Sequence, residues 1–129
     1  MEIKSNQATD LRPEGKRILD APLVAIDINK FIENLRDEKT WKTSDRNAIT
    51  VYKTEGMSIV LIAIHEGAVI PKHVAPGILS LQLLEGEISF TTDEESVNLT
   101  EGMMVTLHKS KPHSVTALKK SVFLLTVAH

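Results

Sequence analysis

The sequence of 129 residues contains no cysteine, and this absence removes several kinds of chemistry at once. Without cysteine there is no disulfide, no thiolate nucleophile, no iron–sulfur cluster and no cysteine-ligated zinc site. A core held together by packing alone suits a reducing compartment. The sequence also lacks any apolar run of about 18 residues, the length that a membrane-spanning helix requires. We therefore expect a cytoplasmic protein that has neither a signal peptide nor a transmembrane span.

An excess of charge of either sign is also missing. Lysine and arginine number 15 and aspartate and glutamate number 17, which gives a net charge of −2 at pH 7. Nothing in this balance favours nucleic acid or an anionic membrane as a partner. No glycine-rich phosphate loop, HExxH pair or GxSxG elbow occurs either. A chain of this length is expected to form a single domain with its own core.

The first third of the chain predicts an arm followed by one short helix. Residues 1 to 22 have an irregular pattern, broken by Pro13, Gly15 and Pro22. Apolar side chains then recur at the spacing of one helical stripe, which we expect to dock on a sheet. The stripe and the aspartate expected to cap it are Ile28, Phe31, Ile32, Leu35 and Asp27.

The rest of the chain predicts short strands separated by turns. Turn-forming residues recur at intervals of about 8–12 residues with no helix between them, which is typical of an antiparallel sandwich or barrel. We therefore predict an all-β fold. The predicted strands are Ala48–Lys53, Ser58–His65, Val69–Val74, Ile78–Leu84, Glu87–Thr92, Ser96–Leu99, Met103–His108, His113–Ala117 and Val122–Ala128.

Two of these strands predict a partner subunit. Ser58–His65 and Ile78–Leu84 carry apolar side chains on both faces, whereas a strand with one wet face alternates apolar and polar residues. The barrel interior covers one face, and one short helix is too small to cover both outer faces. Because bare strands would leave a large apolar patch, we expect a homodimer.

Two strand–turn units each end on a histidine. Gly67 is followed after five residues by His73, and Gly102 opens a strand whose far turn carries Pro112 and His113. This symmetry suggests that both imidazoles point into one cavity.

These spacings resemble the two sequence motifs of the cupin superfamily over residues 48–128. The first motif (Gly, His, His, Glu, Gly) aligns with Gly67, His73, Ala75, Leu79 and Gly86. The second motif (Gly, Pro, Gly, His, Asn) aligns with Gly102, His108, Ser110, His113 and Ala117. The resemblance implies a double-stranded β-helix, or jelly-roll barrel, over residues 47–129. Residues 1–46 would then form the arm and helix, packed on the barrel or on a partner subunit.

The resemblance also implies where a metal would bind. Metal-dependent cupins use two histidines and a glutamate from the first motif and a histidine from the second. Here His73 and His113 remain, while Ala75 and Leu79 replace the other ligands and cannot coordinate a metal. Two imidazoles alone form a weak site. A divalent transition metal (Fe, Mn, Ni or Zn) would need a third ligand, for which His65 and His108 are candidates and Gln82 a weaker one.

Three functions follow from this pattern. The leading hypothesis is a module that binds a small, largely apolar or weakly anionic molecule without a full metal site. Its predicted pocket residues are His73, Ala75, Leu79, Leu81 and His113. The second hypothesis is a metal-dependent oxygenase or isomerase that uses a reduced two-histidine site. The third is a structural dimer whose barrel interior is filled.

Overall fold

A computed structural model describes residues 3–7, 9, 11, 12 and 17–129. Pro13 and Gly15, assigned above to the irregular arm, lie outside these residues. Two helices are present, α1 (Ile28–Asp37) and α2 (Lys39–Thr43). The strands are β1 Lys4–Asn6, β2 Arg17–Asp20, β3 Arg46–Lys53, β4 Met57–Ile64, β5 Val69–His73, β6 Ile78–Glu85, β7 Glu87–Thr92, β8 Ser96–Thr100, β9 Met104–Leu107, β10 His113–Ala117 and β11 Ser121–Ala128.

Strands β3 to β11 form two antiparallel sheets. One sheet has the order β5-β10-β7-β8, and the other has the order β3-β4-β11-β6-β9. Side chains from the inner faces of both sheets share one core, which includes Leu83 and Phe123 from the larger sheet and Ile88 and Val115 from the smaller one. The predicted all-β jelly-roll architecture is therefore confirmed, and the predicted strands are present to within a few residues at their ends.

The structure differs from the sequence prediction at the N-terminal side of the barrel. Residues assigned to an irregular arm include β1 and β2, which pair with each other. A second helix, α2, follows the predicted one, so the described residues form two helices rather than one. These elements are three to five residues long. Segments this short cannot display a hydrophobic period, and contacts with distant residues decide their conformation.

The two helices cover the outer face of β4. The amide of Lys30 donates to the Asp27 carboxylate at 3.2 Å, which is the N-cap that the sequence predicts. Leu35 of α1 and Trp41 of α2 pack in a second apolar cluster with Leu61 and Ala63 of β4. In the described part of the chain, neither helix is long and apolar enough to cross a membrane.

The outer face of β6 is covered less completely than that of β4. Ser80 and Gln82 are half-buried on this face, and Ile78 at the strand's start is 51% exposed. Met104 of the neighbouring strand β9, which pairs with Gln82, is also exposed. One of the two strands that motivated the homodimer is thus covered within the chain. The homodimer stays a prediction that depends on β6.

A buried carboxylate ties the N-terminal arm to the helices and to strand β3. Glu38 lies between α1 and α2, is only 5% exposed, and accepts hydrogen bonds from Arg12 Nη2 at 2.8 Å and from Asn47 Nδ2 at 2.9 Å. Burial opposes ionisation of Glu38, but the hydrogen bonds from Arg12 and Asn47 outweigh it and lower the pKa of this carboxyl group. Arg12 and Arg17 also donate to the Ala48 and Thr50 carbonyls of β3, which is an edge strand.

The energetic cost of adding a side chain at the motif glycine Gly86 can be measured against the same change at a matched glycine, Gly102. Gly86 and Gly102 both have left-handed φ angles, +91° and +88°, so an alanine at either position pays a similar backbone cost of about 1–2 kcal/mol. A Cβ at Gly86 would collide with the Ser121 Oγ and the Lys120 carbonyl oxygen, whereas a Cβ at Gly102 meets nothing within 4 Å.

We expect Gly86→Ala to lower the free energy of unfolding by roughly 1–3 kcal/mol more than Gly102→Ala does. Urea unfolding of the two variants beside the parent measures the difference. Equal losses would show that the close approach of Ser121 has no energetic consequence.

Candidate functional site

The pairing of β5 with β10 brings the two motif histidines together. His73 and His113 are direct partners across this antiparallel pair. Their ring centroids lie 4.4 Å apart, with the ring planes inclined at 55°. At the other end of the pair, the amide of Gly67 donates to the Ala117 carbonyl and fixes the turn from which β5 starts. The convergence that the spacing of the histidines suggested is present in the structure.

The backbone carbonyl two residues before each histidine holds its ring in the same way. His73 Nδ1 lies 3.0 Å from the carbonyl oxygen of Pro71, and His113 Nδ1 lies 3.1 Å from that of Lys111. Ser110, which aligns with a motif glycine, has a φ of 66°, a left-handed conformation that glycine adopts readily. The turn that carries His113 therefore keeps the backbone shape expected of glycine although the residue has changed.

These hydrogen bonds define the tautomer of each imidazole. A carbonyl oxygen only accepts, so the Nδ1 atoms of His73 and His113 must carry the protons. In the neutral ring, Nε2 is then left with its lone pair as a hydrogen-bond acceptor. The site presents two acceptors of the same kind, one from each strand.

Burial favours the neutral form of His113. Its side chain is on the inner face of β10, and the residue is only 3% exposed. Desolvation lowers the pKa of His113, and the neighbouring His73 lowers it further, while the hydrogen bond to Lys111 acts in the opposite direction. Phe90 stacks on the His113 ring with the centroids 5.5 Å apart. His113 is therefore uncharged at neutral pH.

A cavity of about 80 Å³ extends from the histidine pair into the barrel. Its wall includes three of the predicted pocket residues, His73, Leu81 and His113. His73 is exposed, while Leu81 and His113 are buried, so the cavity runs from the surface at His73 toward the core.

The other two predicted pocket residues lie outside the cavity wall. Leu79 is on the inner face of β6, as Leu81 is, but it pairs with Leu107 in a closed part of the core. Ala75 packs against the same core from the turn after β5. Their motif positions are those of metal ligands, and with aliphatic side chains they fill space instead.

None of the three candidates for a third ligand, His65, His108 and Gln82, lines the cavity beside the histidine pair. In β4, Ile62 and Ile64 face the barrel interior, so alternation turns His65 toward the helices, where its ring stacks on Trp41 at 3.5 Å. His65 Nε2 is 2.9 Å from the Trp41 carbonyl oxygen. His108 is exposed after β9.

Sequence reasoning missed most of the cavity wall. These residues are apolar, and they come from both sheets, so only the pairing of strands far apart in sequence brings them together. The fact that Phe90, Val115 and His113 are neighbours across β7 and β10 was not evident from either strand alone. The missed wall residues are Ile62, Ile70, Phe90, Val115, Phe123 and Leu125.

The donor set does not fit a metal site of the usual kind. Structural and catalytic sites for zinc, and sites for non-haem iron, have at least three protein ligands. Here the cavity wall offers two imidazole nitrogens and otherwise carbon. Among the residues that the structure describes, no group of three histidine, aspartate or glutamate side chains converges in a geometry that could hold a metal ion.

Solved structures of other proteins share this architecture. A protein of unknown function from Streptococcus pyogenes superposes with a TM-score of 0.67 at 21% identity, over 85% of this chain and 90% of that one. An RmlC-like cupin from Desulfovibrio desulfuricans gives 0.60 at 24% identity, over 83% and 90%. A cupin superfamily protein from Desulfitobacterium hafniense gives 0.62 at 16% identity, over 64% and 76%.

The chain has the cupin fold. Identities this low show the fold alone, so the chemistry of this chain must be argued from its own residues. No protein-family model matches the sequence, and no curated protein matches it. What distinguishes the site of this chain is a pair of imidazoles at the mouth of an apolar cavity.

The protonation of His113 is directly measurable. We expect its imidazole to titrate below the ordinary histidine value of about 6.5, because burial disfavours the charged ring. Following the ring proton resonances of His113 by NMR as the pH is lowered gives the midpoint.

The exposed partner provides the control for this titration. The substitution His73→Gln removes the electrostatic effect of His73 and should move the His113 midpoint upward, yet leave it below the ordinary value, because burial is the larger cause. A His113 midpoint at or above the ordinary value in the parent protein would contradict the burial argument.

Proposed function

We propose that this protein binds a small, mostly apolar molecule in the barrel cavity, with the two imidazoles at the cavity mouth. The observation that carries the proposal is the combination of an apolar wall with two nitrogen atoms free to interact. Ligand sites are typically concave and apolar with a few placed polar groups. His73 and His113, whose rings converge at the cavity mouth, supply those polar groups.

The cavity volume limits the size of the ligand. Common ligand pockets have volumes of roughly 300–1,000 Å³, so a cavity of about 80 Å³ is small. One water molecule requires about 10–15 Å³ of such space, so this cavity has room for about five to eight atoms of that size. We therefore propose a ligand with about six non-hydrogen atoms inside the barrel, rather than a sugar or a nucleotide.

The same cavity argues against a purely structural barrel. A filled interior has few voids larger than a water molecule, because side chains in protein cores are close-packed. The cavity lies next to the two histidines and reaches the surface at His73. A void elsewhere in the core would be a packing defect. This void instead lies against the two histidines, which are the polar side chains of its wall, as expected of a binding site.

A metal-dependent reaction is the second candidate, supported by the orientation of the rings. Metal-binding histidines usually donate their second ring nitrogen to a carbonyl or carboxylate, as His73 and His113 do here. We nevertheless expect protein purified without a histidine tag to contain roughly a tenth of a metal equivalent or less by elemental analysis, because two ligands bind weakly. One equivalent of metal in the parent, lost in both His73→Ala and His113→Ala, would favour the enzyme instead.

Filling the cavity tests the binding proposal. Val115→Phe adds a ring into the void, so we expect the free energy of unfolding to stay within about 1 kcal/mol of the parent. Binding of xenon and of cyclopentanol, followed through amide shifts in NMR, should be present in the parent and absent in this variant.

Ala117→Val is the matched control on the same strand. Ala117 is also buried and faces the core two residues further along β10, but it does not line the cavity. We expect this variant to lose roughly 1–3 kcal/mol through overpacking and still to bind both probes. The proposal fails if Val115→Phe is destabilised as much as this control, or if the parent binds neither probe.

A further inference from the structure

The cavity wall offers hydrogen-bond acceptors and no donor. Of the nine side chains that line it, only those of His73 and His113 contain polar atoms. Both Nδ1–H groups are already used by the Pro71 and Lys111 carbonyl oxygens. What remains for a ligand is a pair of Nε2 lone pairs in an otherwise hydrocarbon space.

This polarity discriminates among possible ligands. A ketone or ester oxygen only accepts, so next to two acceptors it would be buried without a hydrogen bond. A carboxylate would lose its hydration without gaining a donor. An ammonium group could donate to the imidazoles, but in an otherwise hydrocarbon space it would lose a hydration energy far larger than such hydrogen bonds return. A hydroxyl group, by contrast, can donate to an Nε2 atom while its carbon skeleton contacts the apolar wall.

We propose that the ligand class of this cavity is a neutral hydroxyl compound of about six non-hydrogen atoms, whose O–H group donates to Nε2 of His113 or His73. This inference rests on the proposed binding function and makes it specific. The protein would select its ligand by the direction of one hydrogen bond, together with the size of the cavity.

The electrostatic surroundings of His113 keep this selection active at neutral pH. The titratable side chain that faces the His113 ring is His73 on β5, while β7 contributes Phe90 to the ring's other side. Strands β4, β6 and β11 contribute only apolar side chains to the cavity. Lys72, next to His73 in the sequence, forms an ion pair with Asp93 at 2.5 Å. Asp93 follows Thr92, the β7 partner of His113.

Three probes of equal size test the inference. Cyclopentanol, cyclopentanone and cyclopropanecarboxylate each have about six non-hydrogen atoms and differ in the polar group that they would bring to the imidazoles. Amide and ring shifts measured by NMR at a pH of about 8, above the ordinary histidine value of about 6.5, give the three dissociation constants. We expect cyclopentanol to bind about tenfold more tightly than the ketone and the carboxylate to bind most weakly.

Variants assign the selection to the histidine pair. We expect His113→Leu, and to a smaller extent His73→Leu at the exposed rim, to bring the affinities for cyclopentanol and cyclopentanone within about twofold of each other. The matched control is His108→Leu, which removes an exposed histidine outside the cavity and should leave the ratio unchanged.

The outcomes separate this inference from the function on which it rests. If none of the three probes binds, and xenon does not either, the binding function itself is wrong. If the probes bind but the ketone or the carboxylate equals or exceeds cyclopentanol at a pH of about 8, the cavity binds ligands and the hydroxyl selection is wrong. A ratio that survives in His113→Leu and His73→Leu would also overturn the inference.

Discussion

The register of β10 against β5 is the constraint on which the whole site depends. His113 lies opposite His73, and the same strand pairs with β7 so that Val115 lies opposite Phe90. Because side chains alternate along a strand, a shift by one residue would send His113 to the outer face and open the cavity wall. The pairing of β5 with β10 shifts register between His113 and Val115. Because of this irregularity, residues of β5 lie opposite both His113 and Val115, which a regular antiparallel pairing would not allow. The cavity is thus a consequence of strand pairing rather than of missing side chains.

The larger sheet packs against apolar side chains on both of its faces. Its inner face borders the cavity and the main core, and its outer face supports α1 and α2. Strands β4 and β11 therefore carry apolar residues on both faces, and their long register, from Ser121 opposite Ile64 to Ala128 opposite Met57, holds both layers together. Glu38 completes the outer layer, since Arg12 and Asn47 satisfy a carboxylate that would be costly to bury alone. The site is in this way supported by packing on the side of the sheet away from the cavity.

The fold was predictable from the sequence to a large extent, and the site only in part. The turn residues and the two motifs gave the strands and the position of His73 and His113, because glycines with left-handed φ leave a local signal, as Gly67 and Gly102 do. Parity along β4 could have excluded His65, since Ile64 before it faces the core. Val115 and Phe90 were out of reach, because their place in the cavity depends on pairings between distant segments. The strand β2 and the helix α2 were missed because segments of four or five residues are too short to show a hydrophobic period.

Trp41, the single tryptophan of this chain, belongs to the helical layer and not to the cavity. Its indole is stacked on the His65 ring, on the opposite side of β4 from Ile62, which lines the cavity. Fluorescence emission from Trp41 therefore reports whether the helices remain packed on the barrel. Occupancy of the cavity would be an event on the other side of the sheet, away from this indole.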